Sequence, residues 1–218
     1  MEFSRWEVYY DRILADFGYS REEDERAALV LSGLLEGRSS SADELRGMIE
    51  GKVVTVAGDA ESLGREIDSL AGVVISADEA TSVLLARDVV PDAFTTDLDG
   101  RIEDLVRANS RGAMAIIHAH GDNIDALQEH VGKFEGRVIG TTQAEPFDAM
   151  LDFGGFTDGD RAVFIADHFG AEEIRLVGFD FENPRKKDKD LKAKARKLKW
   201  AYILIQSLNN ERIIFPSS

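Results

Sequence analysis

Residues 91–100 read PDAFTTDLDG. The run Ala-Phe-Thr-Thr at 93–96 is short and largely apolar, as expected of a strand covered on both faces, and it ends abruptly in two acids, Asp97 and Asp99. The same signature recurs on either side, at 53–57, 73–76, 113–117, 138–141, 174–179 and 213–215, with helical stretches between the runs. Strand–helix alternation implies parallel pairing through right-handed crossovers. The expected fold class is therefore α/β: a mostly parallel, Rossmann-like sheet with helices on both faces. In such sheets ligands bind beyond the carboxyl ends of the strands, and polar motifs should follow the apolar runs. They do.

Before residue 50 the period changes. Phe3, Trp6, Tyr10, Ile13, Leu14 and Phe17 recur at helical spacing with Gly18 as a stop, and a second, acidic helix from about residue 20 to 36 carries Ala27, Ala28, Leu31, Leu34 and Leu35 as its apolar stripe. The segment GRSSS at 37–41 reads as a loop. The expected organisation is an N-terminal helical extension over residues 1–50 and an α/β catalytic domain over 51–218. The extension is open to three readings: a lid, a contact in a homodimer, or packing.

The 218 residues contain 44% hydrophobic side chains, enough for a sizeable core, and no cysteine, which excludes disulfides, thiolate catalysis and Cys-ligated zinc. The first residues, MEFSRWEVYYDR, lack a basic segment followed by an apolar one, and no apolar run approaches the ~20 residues of a membrane span. No signal peptide and no membrane partner are expected, and the cytoplasm is the expected compartment. The net charge of −15 is uneven: residues 181–218 hold ten Lys/Arg against four Asp/Glu, and seven of the nine lysines lie between Lys186 and Lys199. A body this acidic repels nucleic acid, whereas the basic tail suits a small polyanion.

Three constellations carry candidate chemistry. Asp97 and Asp99, at i and i+2 of an extended chain, point the same way and together suit Mg²⁺ bridging to phosphate; alternatively they form a turn and a helix cap. In AMAIIHAHGDN (113–123) a second apolar run ends in His118, His120, Gly121, Asp122 and Asn123, which admits a phosphate or nucleotide site, a structural histidine pair, or zinc. Zinc would need a further ligand from His130 or His168. In GGFTDGDRAVFIADHFGA (154–171), Thr157 or Asp158 caps a helix, and Asp158 and Asp160 are either metal or substrate contacts or acids favoured by the helix dipole. IRLVGFDF (174–181) delivers Asp180, and SADEATS (76–82) contains Asp78 at what reads equally as a helix start. The basic segment from Asn183 reads as a helix with Leu191, Ala195, Leu198, Tyr202 and Ile205 as its apolar stripe and Lys192, Arg196 and Lys199 opposite, either a docked helix with a solvated charged face or one whose preceding loop, residues 185–189, neutralises a triphosphate.

Taken together, PDAFTTDLDG, HAHGDN, GGFTDGDRAVFIA with Gly170-Ala171, LVGFDF and the lysine-rich helix ending in KLKWA resemble the archaeal 6-hydroxymethyl-7,8-dihydropterin pyrophosphokinases, a family distantly similar in fold to thiamine pyrophosphokinase. The resemblance implies Mg²⁺ and ATP, with the hydroxymethyl oxygen of a pterin attacking the β-phosphorus and AMP leaving. It implies a metal set of Asp97, Asp99 and Asp158, with Asp158 or Asp160 completing the shell or taking the hydroxyl proton. His118, His120, Gly121, Asp122, Asn123, Thr157, Lys186 and Lys187 fall to the nucleotide, and Asp78, Thr96 and Asp180 to the acceptor. Two stretches depart from the family pattern. A GxGPSL-like loop is replaced by Gly58-Asp59-Ala60-Glu61-Ser62-Leu63, and ADGA by Ala77-Asp78-Glu79-Ala80. Extra acids beside phosphate require a neighbouring cation or side chains turned away. The rival readings are a pyrophosphokinase for thiamine or another heterocyclic alcohol, and a nucleotide-binding module without catalysis.

Overall fold

The computed structural model describes residues 1–185 and 190–216. Three helices come first: α1 (Phe3–Phe17), α2 (Arg21–Leu34) and α3 (Ala42–Ile49). Then strands and helices alternate as β1 (Val53–Ala57), α4 (Leu63–Glu66), β2 (Val73–Ala77), α5 (Ala80–Leu85), β3 (Ala93–Thr96), α6 (Ile102–Ser110), β4 (Met114–Ala119), α7 (Ile124–His130) and β5 (Val138–Thr142). The chain closes with β6 (Met150–Leu151), α8 (Asp158–His168), β7 (Glu173–Val177), α9 (Leu191–Ser207) and β8 (Ile213–Ile214). The strands form one sheet in the order β6-β5-β4-β3-β2-β1-β7-β8, and every pairing is parallel. The strand order reverses at β1, because α8 carries the chain back over β1, β2 and β3 to pair β7 on the far side.

Both faces are covered, and the period of two assigns each strand residue to one of them. Val54, Val56, Ile75, Met114, Ile116 and Leu176 pack with Leu45 of α3, with Ala162, Ile165 and Ala166 of α8, and with Ile205 of α9. On the other face Phe94, Ala115, Ile117 and Val138 meet Ala27, Ala28 and Leu31 of α2, Leu105 of α6 and Leu127 of α7, while Ala57 and Val74 meet Leu63, Ala80 and Leu84. Helix α1 lays Trp6, Tyr10 and Ile13 on Phe164 of α8 and Leu204 of α9, and the Trp6 Nε1 donates to the Gln143 carbonyl at 2.8 Å. The first fifty residues thus contribute directly to the cores around the sheet.

Five elements differ from the sequence expectation. Helix α3 and the two-residue β6 carry too little pattern to be read from periodicity. Strand β4 continues to Ala119, which puts His118 inside the ladder opposite Thr141. Strand β7 stops at Val177 because Gly178 turns to φ +68°, so Asp180 lies in the loop beyond. Helix α9 buries Ala201, Leu204 and Ile205, whereas Leu191 and Tyr202 of the expected stripe are exposed. Its first turns lie over a cavity rather than over a continuous core, so the helix does not need a full-length apolar stripe.

Trp6 is fully buried and its ring stands edge-on to Phe164, with centroids 6.4 Å apart. Trp6→Ala should cost about 3–5 kcal/mol of stability, read as a lower urea midpoint. A midpoint unchanged from the parent protein would mean that α1 is peripheral to the core.

Candidate active site

The cavity that opens at the carboxyl ends of β1 to β5 has a volume of about 590 Å³ and is roofed by α9. Three acids reach it from three elements. Asp78 follows β2 and extends the ladder by one residue through its N–H to the Thr95 carbonyl, at 2.8 Å, before turning to φ +38°. The Thr96 hydroxyl donates to its carboxylate, and Gly100 packs against it so closely that a Cβ there would sit 2.0 Å from Asp78 Oδ2. Asp97 follows β3. Asp158 begins α8, whose first turn is tied to β3 by the Thr95 hydroxyl donating to the Asp158 carbonyl at 2.9 Å. One carboxylate oxygen from each of Asp78, Asp97 and Asp158 lies within 4.8 Å of the others.

Asp99 takes a different place from the one expected. The chain leaves the extended region at Leu98, with φ +67°, and the Asp99 N–H turns back onto Asp97 Oδ1 at 3.3 Å. The i, i+2 rule applies only to a continuing strand, and this strand has ended. Asp99 folds back beside Asp97 through this backbone bond, and Asp78 occupies the third position of the triad.

The charges record the crowding. Burial, then the charge of Asp99, pushes Asp78 up to about 8. Burial and the charge of Asp97 raise Asp158 far above the carboxylate range. Burial and Asp97 also lift Asp99 to about 6. Burial would raise Asp97 too, but the His120 bond and charge, the Asp99 bond and Arg161 outweigh it and hold Asp97 well below its ordinary value. Carboxylates this close ionise together only when a cation joins them. Three hard oxygen donors, with no nitrogen or sulfur among them, fit Mg²⁺ better than zinc.

Around the triad the chain spends its hydrogen bonds on rigidity. Asn123 donates to the carbonyls of Asp97 and His118 and accepts from the His120 N–H, binding the β3 and β4 ends together. His120 Nε2 lies 3.3 Å from Asp97 Oδ2, and His120 Nδ1 accepts from the Asp122 N–H. His118 Nδ1 instead meets Thr141, so the two histidines serve separate partners and do not share a metal. The Asp160 carboxylate accepts from the N–H groups of Phe156 and Thr157 and from the Thr157 hydroxyl. This capping box engages both oxygens of Asp160 and fixes the loop before α8. Asp180 Oδ1 accepts from the N–H groups of Glu182 and Asn183 and shapes that loop, though Asp180 also lines the cavity, as do Gly121, Asp122 and Thr157. Lys186 and Lys187 lie outside the described residues.

Three cations were not singled out from the sequence as site residues. Arg161 is 3% exposed and binds Asp158 at 3.4 Å, and Lys194 and Lys197 of α9 face the cavity. Arg185, expected near triphosphate, pairs through Nη2 with Asp59 at 2.6 Å and Glu79 at 2.8 Å. The acids that depart from the family pattern therefore meet a guanidinium, and Glu61 is exposed. Arg161 was legible only as the residue after the capping acid, and the lysines only once α9 was rotated to its true face.

Comparison with known proteins gives a consistent result. The family model described as 6-hydroxymethylpterin diphosphokinase MptE-like matches residues 30–186. A protein of Pyrococcus furiosus named 6-hydroxymethyl-7,8-dihydropterin pyrophosphokinase is 44% identical over 96% of this chain and 95% of its own length. Proteins of the same name from Methanothermobacter thermautotrophicus and Methanocaldococcus jannaschii are 42% and 35% identical, each over 83% of this chain and 79% and 80% of their own. Among solved structures, a MAf glycosyltransferase from Magnetospirillum magneticum AMB-1 shares the fold with a TM-score of 0.52 and 21% identity, over 79% of this chain and 29% of that longer one.

Asp78 gives the crowding a measurable consequence. Its carboxyl releases its proton near pH 8 in the folded chain against 3.8 for the ordinary group, so the metal-free folded state holds an extra proton between those values. Stability contributed by that proton is lost as pH rises through the window. The Tm of Asp78→Asn relative to the parent protein, measured in chelator, should therefore grow from about pH 5 to about pH 8. A difference independent of pH would mean that Asp78 titrates as an ordinary acid.

Proposed function

The chain belongs to the MptE-like 6-hydroxymethylpterin diphosphokinase family, and from that membership we propose that it moves the diphosphate of ATP onto the hydroxymethyl oxygen of 6-hydroxymethyl-7,8-dihydropterin, releasing AMP. The observation that carries this reading is the acid triad facing a cavity edged by lysines. Such a site suits polyphosphate held through a divalent cation.

Asp78, Asp97 and Asp158 would hold Mg²⁺, which when bound neutralises phosphate oxygens and orients the β-phosphorus for in-line attack. Lys194 and Lys197 add positive charge from the roof. The reaction forms a bond between the alcohol oxygen and the β-phosphorus and breaks the bond from that phosphorus to the bridging α–β oxygen, which leaves with AMP. We assign the hydroxyl proton to Asp99, whose carboxyl adjoins Asp97 and sits near pH 6. His120 steadies Asp97 from the other side. The loosely bonded transition state of such transfers asks for positioning and charge more than for a strong base, and the bonds of Thr96, Asn123 and Thr95 supply the positioning.

The test is product analysis of the full chain with ATP, Mg²⁺ and the pterin alcohol. AMP and the pterin diphosphate should appear in equal amounts. Asp97→Asn should lower kcat by at least about 100-fold at an unchanged Tm, and Lys197→Ala should chiefly raise the KM for ATP. ADP in place of AMP, or Asp97→Asn retaining near-parent turnover, would sink the reading.

A further inference from the structure

We propose that Asp24 of α2 is a positioning residue for Asp97, acting through the Gly121–Asn123 turn, so that the N-terminal helices brace the active site from within. The inference rests on the reading of Asp97 as a metal ligand given above. It assigns the extension a task that neither a lid, a dimer contact nor simple packing describes.

Asp24 is 3% exposed, and its carboxylate accepts from donors in three other parts of the chain. The Tyr10 hydroxyl of α1 donates to Oδ2 at 2.6 Å, and the Gln143 amide, just after β5, donates to the same oxygen at 2.8 Å. The Gly121 N–H, just after β4, donates to Oδ1 at 2.8 Å. All three donors are neutral. Arg21, one turn earlier on the helix, pairs with Glu7 and Asp11 instead. A buried carboxylate held by neutral donors is a cost to packing alone, and an apolar side chain would cover the sheet without it.

The third bond leads to the site. Gly121 opens the short 3₁₀ turn Gly121–Asn123. Asn123 donates through Nδ2 to the Asp97 carbonyl at 2.8 Å and accepts at Oδ1 from the His120 N–H at 3.1 Å. His120 Nε2 lies 3.3 Å from Asp97 Oδ2. Backbone and carboxylate of Asp97 are thus both engaged by residues of this short segment. Packing fixes the same joint a second time, because a Cβ on Gly121 would meet the Glu23 Cβ at 2.7 Å. The turn and α2 fit only while residue 121 has no side chain.

The three bonds differ in what they tolerate. A tyrosine hydroxyl and a glutamine amide can each turn round to accept, whereas a backbone N–H only donates. Asp24→Asn can therefore keep its oxygen on Gly121 and give its NH₂ to Tyr10 and Gln143. Asp24→Ala leaves the Gly121 N–H without its acceptor.

The test measures turnover against Mg²⁺ concentration and, on the metal-free protein, amide hydrogen exchange at residues 120–123, well below the Tm of each variant. In Asp24→Ala those amides should lose protection. The Mg²⁺ concentration giving half-maximal rate should rise about 10–100-fold, the usual result of removing a group that orients a metal ligand. Asp24→Asn should return both to near the parent values. Tyr10→Phe removes a bond to the same carboxylate but leaves Gly121 held, so it should lower the Tm and leave the Mg²⁺ requirement where it was. A requirement unmoved in Asp24→Ala would overturn the proposal. So would one that rises equally in Tyr10→Phe, since both variants would then report stability alone. If Asp24→Ala does not fold, Gly121→Ala carries the test: its Cβ parts the turn from α2 with the buried carboxylate in place, and an unchanged Mg²⁺ requirement there is equally fatal. A parent protein that turns over without Mg²⁺ would overturn the metal reading beneath the proposal, while the exchange arm still tests the brace itself.

Discussion

Three buried carboxylates pointed at one another set the terms for the rest of this molecule. Left to themselves Asp78, Asp97 and Asp158 repel, and a chain selected for stability alone would separate them. They converge because the elements that carry them are fastened together beneath the cavity. Thr96 joins the β3 end to Asp78, Thr95 joins β3 to α8, and Asn123 joins the β4 end to the Asp97 loop. The first two bonds link elements whose acids repel, and the third anchors the Asp97 loop to β4. Gly100 matters for the same reason, since any side chain there would displace Asp78. Strain held in this way is released when a cation enters, so metal affinity and fold stability draw on the same free energy.

Buried acids in this protein fall into two kinds, and hydrogen-bond accounting separates them. Asp24 and Asp160 are surrounded by donors from their own chain: Tyr10, Gln143 and Gly121 for the first, the Phe156–Thr157 loop for the second. Neither has reason to seek an outside ligand. The triad acids face mainly one another and need one. Asp24 also explains why the N-terminal helices belong to the site: one carboxylate ties α2 to α1, to the β4 loop and to the residue after β5. An extension that only covered the sheet would not place a buried charge there.

The parallel sheet was legible because strands covered on both faces are written as continuous apolar runs, and 53–57 and 93–96 match β1 and β3 to the residue. Sequence reasoning brought out Asp97 and His118 by the strand-end rule and Asp158 by its helix-cap position, without any contact information. It failed where a side chain's partner comes from a distant element. Asp78 looked like the start of a helix because the Thr96 and Asp97 that define its role lie on the next strand. Asp99 was paired with Asp97 by a rule for strands that ended one residue too soon. For α9 the error was rotational: a helix over a cavity turns Lys194 and Lys197 inward and exposes Leu191, which no apolar periodicity encodes.

Arg185 shows how a local departure in sequence can preserve a site's electrostatics. Asp59 and Glu79 come from the loops after β1 and β2, and either acid alone would set a negative charge where phosphate is expected. Both meet one guanidinium from the loop after β7, which also donates to the Asp59 carbonyl at 3.0 Å. The three loops lie on either side of β1, where the strand order reverses and a crevice must open. An arginine is suited to this task because its planar fork engages several acceptors at once and keeps its charge when largely shielded from water. The acids thus do more than escape their cost: with Arg185 they fasten the two lips of the crevice, Glu79 doing so where the family pattern has glycine.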